Sequence, residues 1–179
     1  MDFENEEARL LFLKYASPCA ETLVKRGTVT KKQMNDMLVD VSYRRESSKD
    51  AAKKFKTAIF ICKKIAKKLN KKIIDVEVIR RYFLLEHDKI VDGRYKMFKD
   101  FDPQKCRTYS GKIISTKNGF AIVNIIIGNK KYRTDFVPQL KVGNYVIVHR
   151  NFIIERINKN LAEKLWRLKD DYFKSKKVL

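Results

Sequence analysis

The sequence contains little glycine and proline, few cysteines and no long apolar run. Six glycines and three prolines in 179 residues exclude collagen-like and low-complexity chains. No apolar segment approaches the roughly 20 residues that a membrane-spanning helix needs. Four of the first seven residues are acidic and none is basic, whereas a secretory signal peptide begins with basic residues. We therefore expect a cytoplasmic protein with no membrane association.

Cysteine and histidine are too sparse for the common metal motifs. Cys19, Cys62 and Cys106 form no Cys-x-x-Cys pair, and their odd number argues against a disulfide framework. A zinc site built from cysteine pairs is not expected either. Cys62 lies on an apolar helical stripe, which is typical of a small core residue. Of the two histidines, His87 lies near a predicted helix end, which is typical of a capping role, and the other is His149.

Positive charge is what the chain has in excess. Lys and Arg number 41 against 21 Asp and Glu, which gives a net charge of +20. Residues 1–104 carry +8 of this charge and residues 105–179 carry +12. The apolar fraction of 44% is sufficient for a folded core. The lysine-rich usage resembles that of hyperthermophile proteins, and the excess charge is compatible with a nucleic-acid partner.

The hydrophobic pattern changes near residue 104, which predicts an α+β protein. Apolar residues recur at helical spacing before this point, and short β-branched runs follow it. We predict a helical domain over residues 1–92, a linker over 93–105, and a small OB-like β-barrel with a C-terminal helix over 106–179.

Local signals place individual helices in the first region. Ser17-Pro18 is predicted to begin a helix. The capping box from Thr30 to Gln33 is predicted to begin another helix. Ser47 or Ser48 is predicted to cap a long helix that ends near Leu69. Asp75 is predicted to cap a helix that ends near His87.

Short β-branched runs and Asn-Gly turns predict the barrel. The predicted strands are Lys112–Thr116, Phe120–Ile127, Lys130–Phe136, Tyr145–His149 and Phe152–Ile157. The last helix is predicted to begin at Asn158 or Asn160 and to cover one open side of the barrel.

Two basic features are candidates for nucleic-acid binding. The first is a lysine face that could follow a phosphate backbone, formed by Lys53, Lys56, Lys63, Lys67 and Lys71. The second is a set of barrel aromatics that could stack on bases, namely Tyr109, Phe120, Tyr132 and Tyr145. The alternatives are that the lysines form the solvated face of a bundle helix and that the aromatics fill the barrel core.

Cys106 and His149 are the third candidate. A cysteine just before the first strand and a histidine at the end of another could meet at one exposed barrel rim. A thiolate there could bind iron, which accepts soft ligands, or act as a nucleophile. The sequence contains no Walker loop, His-Glu-x-x-His or Gly-x-Gly-x-x-Gly motif. We therefore expect a protein that is not an enzyme.

Residues 106–173 resemble the HypC/HupF/HybG family of hydrogenase assembly chaperones. Residues 142–149 read Val-Gly-Asn-Tyr-Val-Ile-Val-His, followed by Phe152-Ile153-Ile154 and a helix containing Ala162-Glu163. The family pattern is roughly Val-Gly-Asp-Tyr-Val-Leu-Val-His-x-Gly-Phe-Ala-Ile. Cys106 occupies the position of the essential family cysteine, and His149 occupies that of the family histidine.

The resemblance implies a carrier role in metal-centre assembly. Family members are small OB-type barrels that are not enzymes themselves. They bind a maturation partner and the hydrogenase large-subunit precursor, and they help to carry an iron fragment. The resemblance therefore implies that Cys106, with His149 beside it, contacts the partner or the iron fragment transiently, without a tightly bound cofactor. The family cysteine is N-terminal after methionine removal, whereas Cys106 is preceded by 105 residues.

Overall fold

A computed structural model describes residues 2–44, 49–97 and 102–177 of the chain. The chain divides into two compact units, Met1–Cys106 and Arg107–Leu179. The first unit is helical, and the second is a closed sheet followed by a helix. The α+β architecture predicted from the hydrophobic pattern is confirmed.

Local capping signals account for much of the helical unit. Its helices are α1 (Glu6–Ala16), α2 (Ala20–Lys25), α3 (Lys31–Ser42), α4 (Lys49–Lys53), α5 (Lys56–Lys68), α6 (Val76–Arg81), α7 (His87–Met97) and α8 (Pro103–Cys106). The predicted capping box is present at α3: the Gln33 amide donates to Thr30 Oγ1 at 3.1 Å, and the Thr30 amide donates to Gln33 Oε1 at 3.0 Å. Asp75 caps α6 as predicted, since its carboxylate accepts from the Val78 amide at 2.9 Å.

Three helix predictions were wrong in extent. Ser17-Pro18 begins a short 3-10 turn, Ser17–Cys19, ahead of α2. The long helix predicted to end near Leu69 is divided into α4 and α5, with Lys54 and Phe55 between them. The apolar stripe continues across this break because Phe55 is itself buried. Ser47 and Ser48, its predicted caps, lie outside the described residues.

The third difference concerns His87. The helix that starts at Val76 does not end there but passes through a π-helical segment, Tyr82–Glu86, and continues as α7. A π-helical segment changes the angular position of every residue that follows it, and such segments are frequent at functional sites. The predicted linker 93–105 contains the end of α7 and most of α8. The predicted boundaries of two independent domains stay a prediction.

The second unit is a closed five-stranded sheet of OB-like topology. Its strands are β1 (Thr108–Lys117), β2 (Phe120–Ile125), β3 (Gly128–Arg133), β4 (Tyr145–His149) and β5 (Phe152–Ile157). The order around the sheet is β1-β2-β3-β5-β4, and β1 pairs with β4 to close it. All pairs are antiparallel except β3 with β5, which meet in parallel at Arg133 and Phe152.

The bounds of β1, β2 and β3 differ from the predicted ones, and β3 ends at Arg133 instead of Phe136. β1 begins four residues earlier than predicted because residues 108–112 pair with β4, a contact distant in sequence. The β2–β3 turn falls at Ile126 and Ile127 instead of the predicted Gly128-Asn129, and Gly128 begins β3 with φ of +98°. Glycine adopts such a positive φ without strain.

The C-terminal helix α9 (Lys159–Lys177) packs on the sheet as predicted. Asn158 caps it, since its Oδ1 accepts from the Leu161 amide at 2.8 Å. The Ser110 hydroxyl, on β1, donates to the Ala162 carbonyl at 2.9 Å in a buried contact. Alternating inward side chains fill the sheet interior, namely Tyr109, Ile113, Ala121, Val123, Ile125, Tyr132, Val146, Val148 and Ile153. In the described part of the chain, every helix is too short or too polar to cross a bilayer.

Gly111, on β1, has no room for a side chain next to β2. A Cβ at this position would lie 2.7 Å from methyl carbons of Val123 and Ile125 and would collide with the backbone carbonyl of Asn124. We predict that Gly111→Ala lowers the free energy of unfolding by about 1–3 kcal/mol, because backbone cannot move aside cheaply. Urea unfolding followed by circular dichroism measures the change.

Gly93→Ala is the matched control. Gly93 lies on α7 with open space where a Cβ would be, so alanine should stabilise the helix by about 0.5–1 kcal/mol. Equal stability of the two alanine variants would contradict the close approach at Gly111.

Candidate functional site

Cys106 is buried, in contrast to the exposed rim position expected of it. It is the last residue of α8 and is 1% exposed. Asp102 and Pro103 explain why this short helix forms, since Asp102 Oδ1 accepts from the Gln104 amide at 2.9 Å and proline is tolerated at a first helical position. The thiol is therefore held by a folded segment and is shielded from water.

His149 lies at the end of β4, as predicted, and it too is fully buried. The sheet register pairs it with Thr108 on β1 and with Phe152 on β5. Thr108 follows Cys106 by two residues, so the start of β1 is the element that links the two candidate positions along the chain. Arg107, which lies between Cys106 and Thr108 in the sequence, is buried. Its guanidinium lies 5.4 Å from the centre of the Phe173 ring.

The helical unit gathers two further ligand-type residues around Cys106. The Cys19 and Cys106 Sγ atoms are 3.4 Å apart. His87 offers a ring nitrogen to the same group, and the ligand atoms of these three residues all lie within 4.8 Å of one another. Cysteine spacing in the sequence did not indicate this cluster, because Cys19 and Cys106 are brought together only by the packing of the helices.

The break between α1 and α2 positions Cys19. It ends the 3-10 turn that begins at Ser17, and its side chain is partly exposed. His87 follows directly after the π-helical segment and is 5% exposed. Its ring lies 5.8 Å from that of Tyr82 and 5.7 Å from that of Phe83, measured between centroids, so aromatic packing fixes its place.

A pocket of about 280 Å³ in the helical unit opens onto two of these residues. Its lining includes Cys19 and His87, together with the cationic side chains of Arg26, Lys54 and Lys56. Aromatic side chains of Phe55, Tyr82 and Phe83 complete one part of the wall. The pocket gives a small ligand a route to Cys19 and His87.

Cys62 is the third free cysteine and is not part of this group. It lies on the buried face of α5 and is fully inaccessible to solvent, as predicted for a core residue. Burial raises the pKa of its thiol to about 12. Cys62 is therefore protonated at neutral pH and serves as an internal reference for the other two thiols.

The five lysines of the predicted face belong to different elements. Lys53 belongs to α4 and pairs with Asp50 at 2.8 Å, whereas Lys71 follows α5 and pairs with Asp75 and Glu77. Only Lys56, Lys63 and Lys67 of the predicted set lie on α5. Two of the five lysines are therefore paired with carboxylates, and phosphate binding by this set stays a prediction.

The four aromatic residues predicted to stack on bases differ in their exposure to solvent. Tyr109 and Tyr132 are 4% and 5% exposed and belong to the sheet core, so they fill the interior instead of offering a stacking surface. Phe120 is exposed, with Lys131 Nζ 4.1 Å from its ring centre. Tyr145 is half-buried. Base stacking by Phe120 and Tyr145 stays a prediction.

Comparison with known families gives a match to the second part of the chain. Residues 106–168 match the model of the HupF/HypC family. The HupF/HypC resemblance predicted from the sequence is thereby confirmed for this segment, which begins at Cys106 and includes His149. Cys19 and His87 lie outside the matched segment. No curated protein sequence matches the chain.

The three thiols should differ sharply in alkylation rate. We predict that native, reduced protein at pH 8 is modified by iodoacetamide at Cys19 first, because Cys19 alone is partly exposed. Cys62 should react only after unfolding, because it is both buried and protonated. Peptide mass spectrometry over time measures the rates, with denatured protein as the control. Alkylation of native Cys62 as fast as that of Cys19 would contradict the assignment.

Proposed function

We propose that the chain is an assembly chaperone in the maturation of a metalloenzyme, with NiFe hydrogenase as the client class. It would bind a maturation partner and the enzyme precursor, and it would pass on an iron fragment held through the Cys106 thiolate. The observation that carries this proposal is the HupF/HypC match over residues 106–168, which starts at the cysteine itself.

The two candidate residues have a structural relation that supports the proposal. His149 is held at the end of β4 by pairing with Thr108, and Cys106 precedes Thr108 by two residues. Both side chains are buried, which keeps water and oxidants away from an iron fragment. A thiolate is a soft ligand suited to low-valent or covalent iron centres.

Hand-over, rather than storage or catalysis, is the role that this arrangement fits. A thiolate supplied by one chain leaves other coordination positions of the iron to a partner protein. The iron fragment is then a transient cargo, and the protein acts without a resident cofactor and without catalysing a reaction itself. Its site of action would be the cytoplasm, where thiols stay reduced.

The basic charge is compatible with this role. The sheet unit carries most of the excess charge, and a basic surface accelerates encounter with an acidic partner. The nucleic-acid alternative has less support, since two of the five lysines pair with carboxylates and two of the four aromatic residues fill the sheet core.

An anaerobic pull-down tests the proposal. Tagged wild-type protein and Cys106→Ala would be used on nuclease-treated native lysate, and captured proteins and iron would be quantified. We expect wild type to retain maturation proteins or a metalloenzyme precursor together with iron. We expect Cys106→Ala to lose at least about 90% of the captured iron while keeping its circular dichroism spectrum and melting temperature, because the iron depends directly on this thiolate.

Cys62→Ala is the matched control, since it removes an equally buried cysteine outside the group. It should capture partners and iron as wild type does. Capture of partners and iron at wild-type levels by Cys106→Ala would overturn the proposed role of the thiol. Failure of wild type to capture any maturation protein or precursor would overturn the chaperone role.

A further inference from the structure

Cys19, His87 and Cys106 all belong to the helical unit, and two of them lie outside the HupF/HypC match. We propose that these three residues form a chelating site for a borderline-soft divalent transition ion, Zn²⁺ or Fe²⁺. The helical region then contributes ligands of its own beside Cys106. This site uses Cys106, as the proposed function does. The site does not depend on the proposed function, because metal binding by the isolated chain needs no partner.

The distances are close to those of a tetrahedral metal site. Two thiolates bound to zinc at about 2.3 Å lie about 3.8 Å apart at the tetrahedral angle. The Sγ atoms of Cys19 and Cys106 are 3.4 Å apart, and the His87 nitrogen completes a group with no ligand-atom separation above 4.8 Å. Rotation of the side chains would bring all three ligand atoms onto one ion.

The donor set selects the class of metal. Two thiolates and an imidazole suit zinc and iron, whereas magnesium and calcium require oxygen ligands. Each thiol loses its proton when it binds, so two thiolates and one divalent ion form a neutral centre. Such a centre is far less costly to bury than an isolated charge.

The pocket beside the site supplies access for an ion. Cys19 is partly exposed and lines the 280 Å³ pocket with His87, so an ion can reach the site without unfolding of the unit. The cationic lining of Arg26, Lys54 and Lys56 favours the approach of an anionic complex of the ion over that of a neutral one.

The site also compensates for the internal position of the cysteine. An N-terminal cysteine offers an amine next to its thiol, and Cys106, preceded by 105 residues, does not. Cys19 and His87 restore a multidentate set around the same thiol. A chelate holds a metal more tightly than one thiolate does, because each additional ligand binds within a site that is already assembled.

Titration with Co²⁺ tests the site directly. Purified full-length protein would be kept anaerobic with a non-thiol reductant, and Co²⁺ would be added while absorption is recorded. We expect one equivalent to bind, with thiolate-to-cobalt charge-transfer bands in the near ultraviolet and intense visible bands of tetrahedral geometry. Zn²⁺ should displace the cobalt with the same stoichiometry, and its binding should raise the melting temperature.

The variants are Cys19→Ser and His87→Phe, with Cys62→Ser as the matched control. Loss of a direct ligand should weaken binding by about 100-fold or more, since loss of a supporting contact alone costs 10–100-fold. His87→Phe keeps an aromatic ring against Tyr82 and Phe83 but removes the nitrogen ligand. If His87→Phe does not fold, the partly exposed Cys19→Ser still decides the question.

Three outcomes would overturn the site. They are the absence of a thiolate–cobalt band in wild type, a wild-type band in Cys19→Ser, and equal loss of the band in Cys62→Ser. Metal binding by wild type together with failure to capture maturation proteins would contradict the chaperone role alone. Partner capture without metal binding by the isolated chain would contradict this site alone.

Discussion

The pairing of β1 with its two neighbouring strands is the constraint on which the rest of the sheet unit depends. β1 pairs with β4 from Thr108 to Lys112 and with β2 from Gly111 to Lys117. Gly111 pairs with both neighbouring strands, and its lack of a side chain leaves room for the β2 backbone. The same register fixes His149 opposite Thr108 and so sets the start of β1, which Cys106 precedes. Ser110, also on β1, ties α9 to the sheet through the Ala162 carbonyl.

Local signals in the sequence predicted the elements that depend on local chemistry. The Thr30–Gln33 capping box, the Asp75 and Asn158 caps and all of β4 and β5 agree with the structure. Each depends on contacts within a few residues or on strict apolar runs. The resemblance likewise rested on a contiguous block around residues 142–149, and the family comparison confirms it.

Tertiary packing decided the features that the sequence did not indicate. The early start of β1 depends on its pairing with β4. The continuation of α6 through Tyr82–Glu86 into α7 has no capping residue that would predict it from the sequence. Cys19 and Cys106 are 87 positions apart, and only the packing of the helical unit brings their sulfur atoms to 3.4 Å. Their sequence spacing matches no metal motif, so reasoning from motifs paired Cys106 with His149 and missed Cys19 and His87.

Burial gives the thiol cluster its chemical character. Cys106 and His87 are almost inaccessible to solvent, whereas Cys19 is partly exposed beside a cationic pocket. Water is excluded on one side, and a small ligand can approach on the other. This combination suits a thiolate site that receives a metal centre and releases it to a partner, and it relates the helical unit to the role proposed for the HupF/HypC-like segment.

The central claim is that Cys106 is a metal ligand in the functioning protein. X-ray absorption at the metal edge tests it most directly, on full-length protein loaded anaerobically with one equivalent of Fe²⁺ or Zn²⁺. The account predicts sulfur and nitrogen neighbours in the first coordination sphere, with the sulfur contribution reduced in Cys106→Ala and unchanged in Cys62→Ala. A first sphere of oxygen and nitrogen alone, or a sulfur contribution indifferent to Cys106, would contradict it.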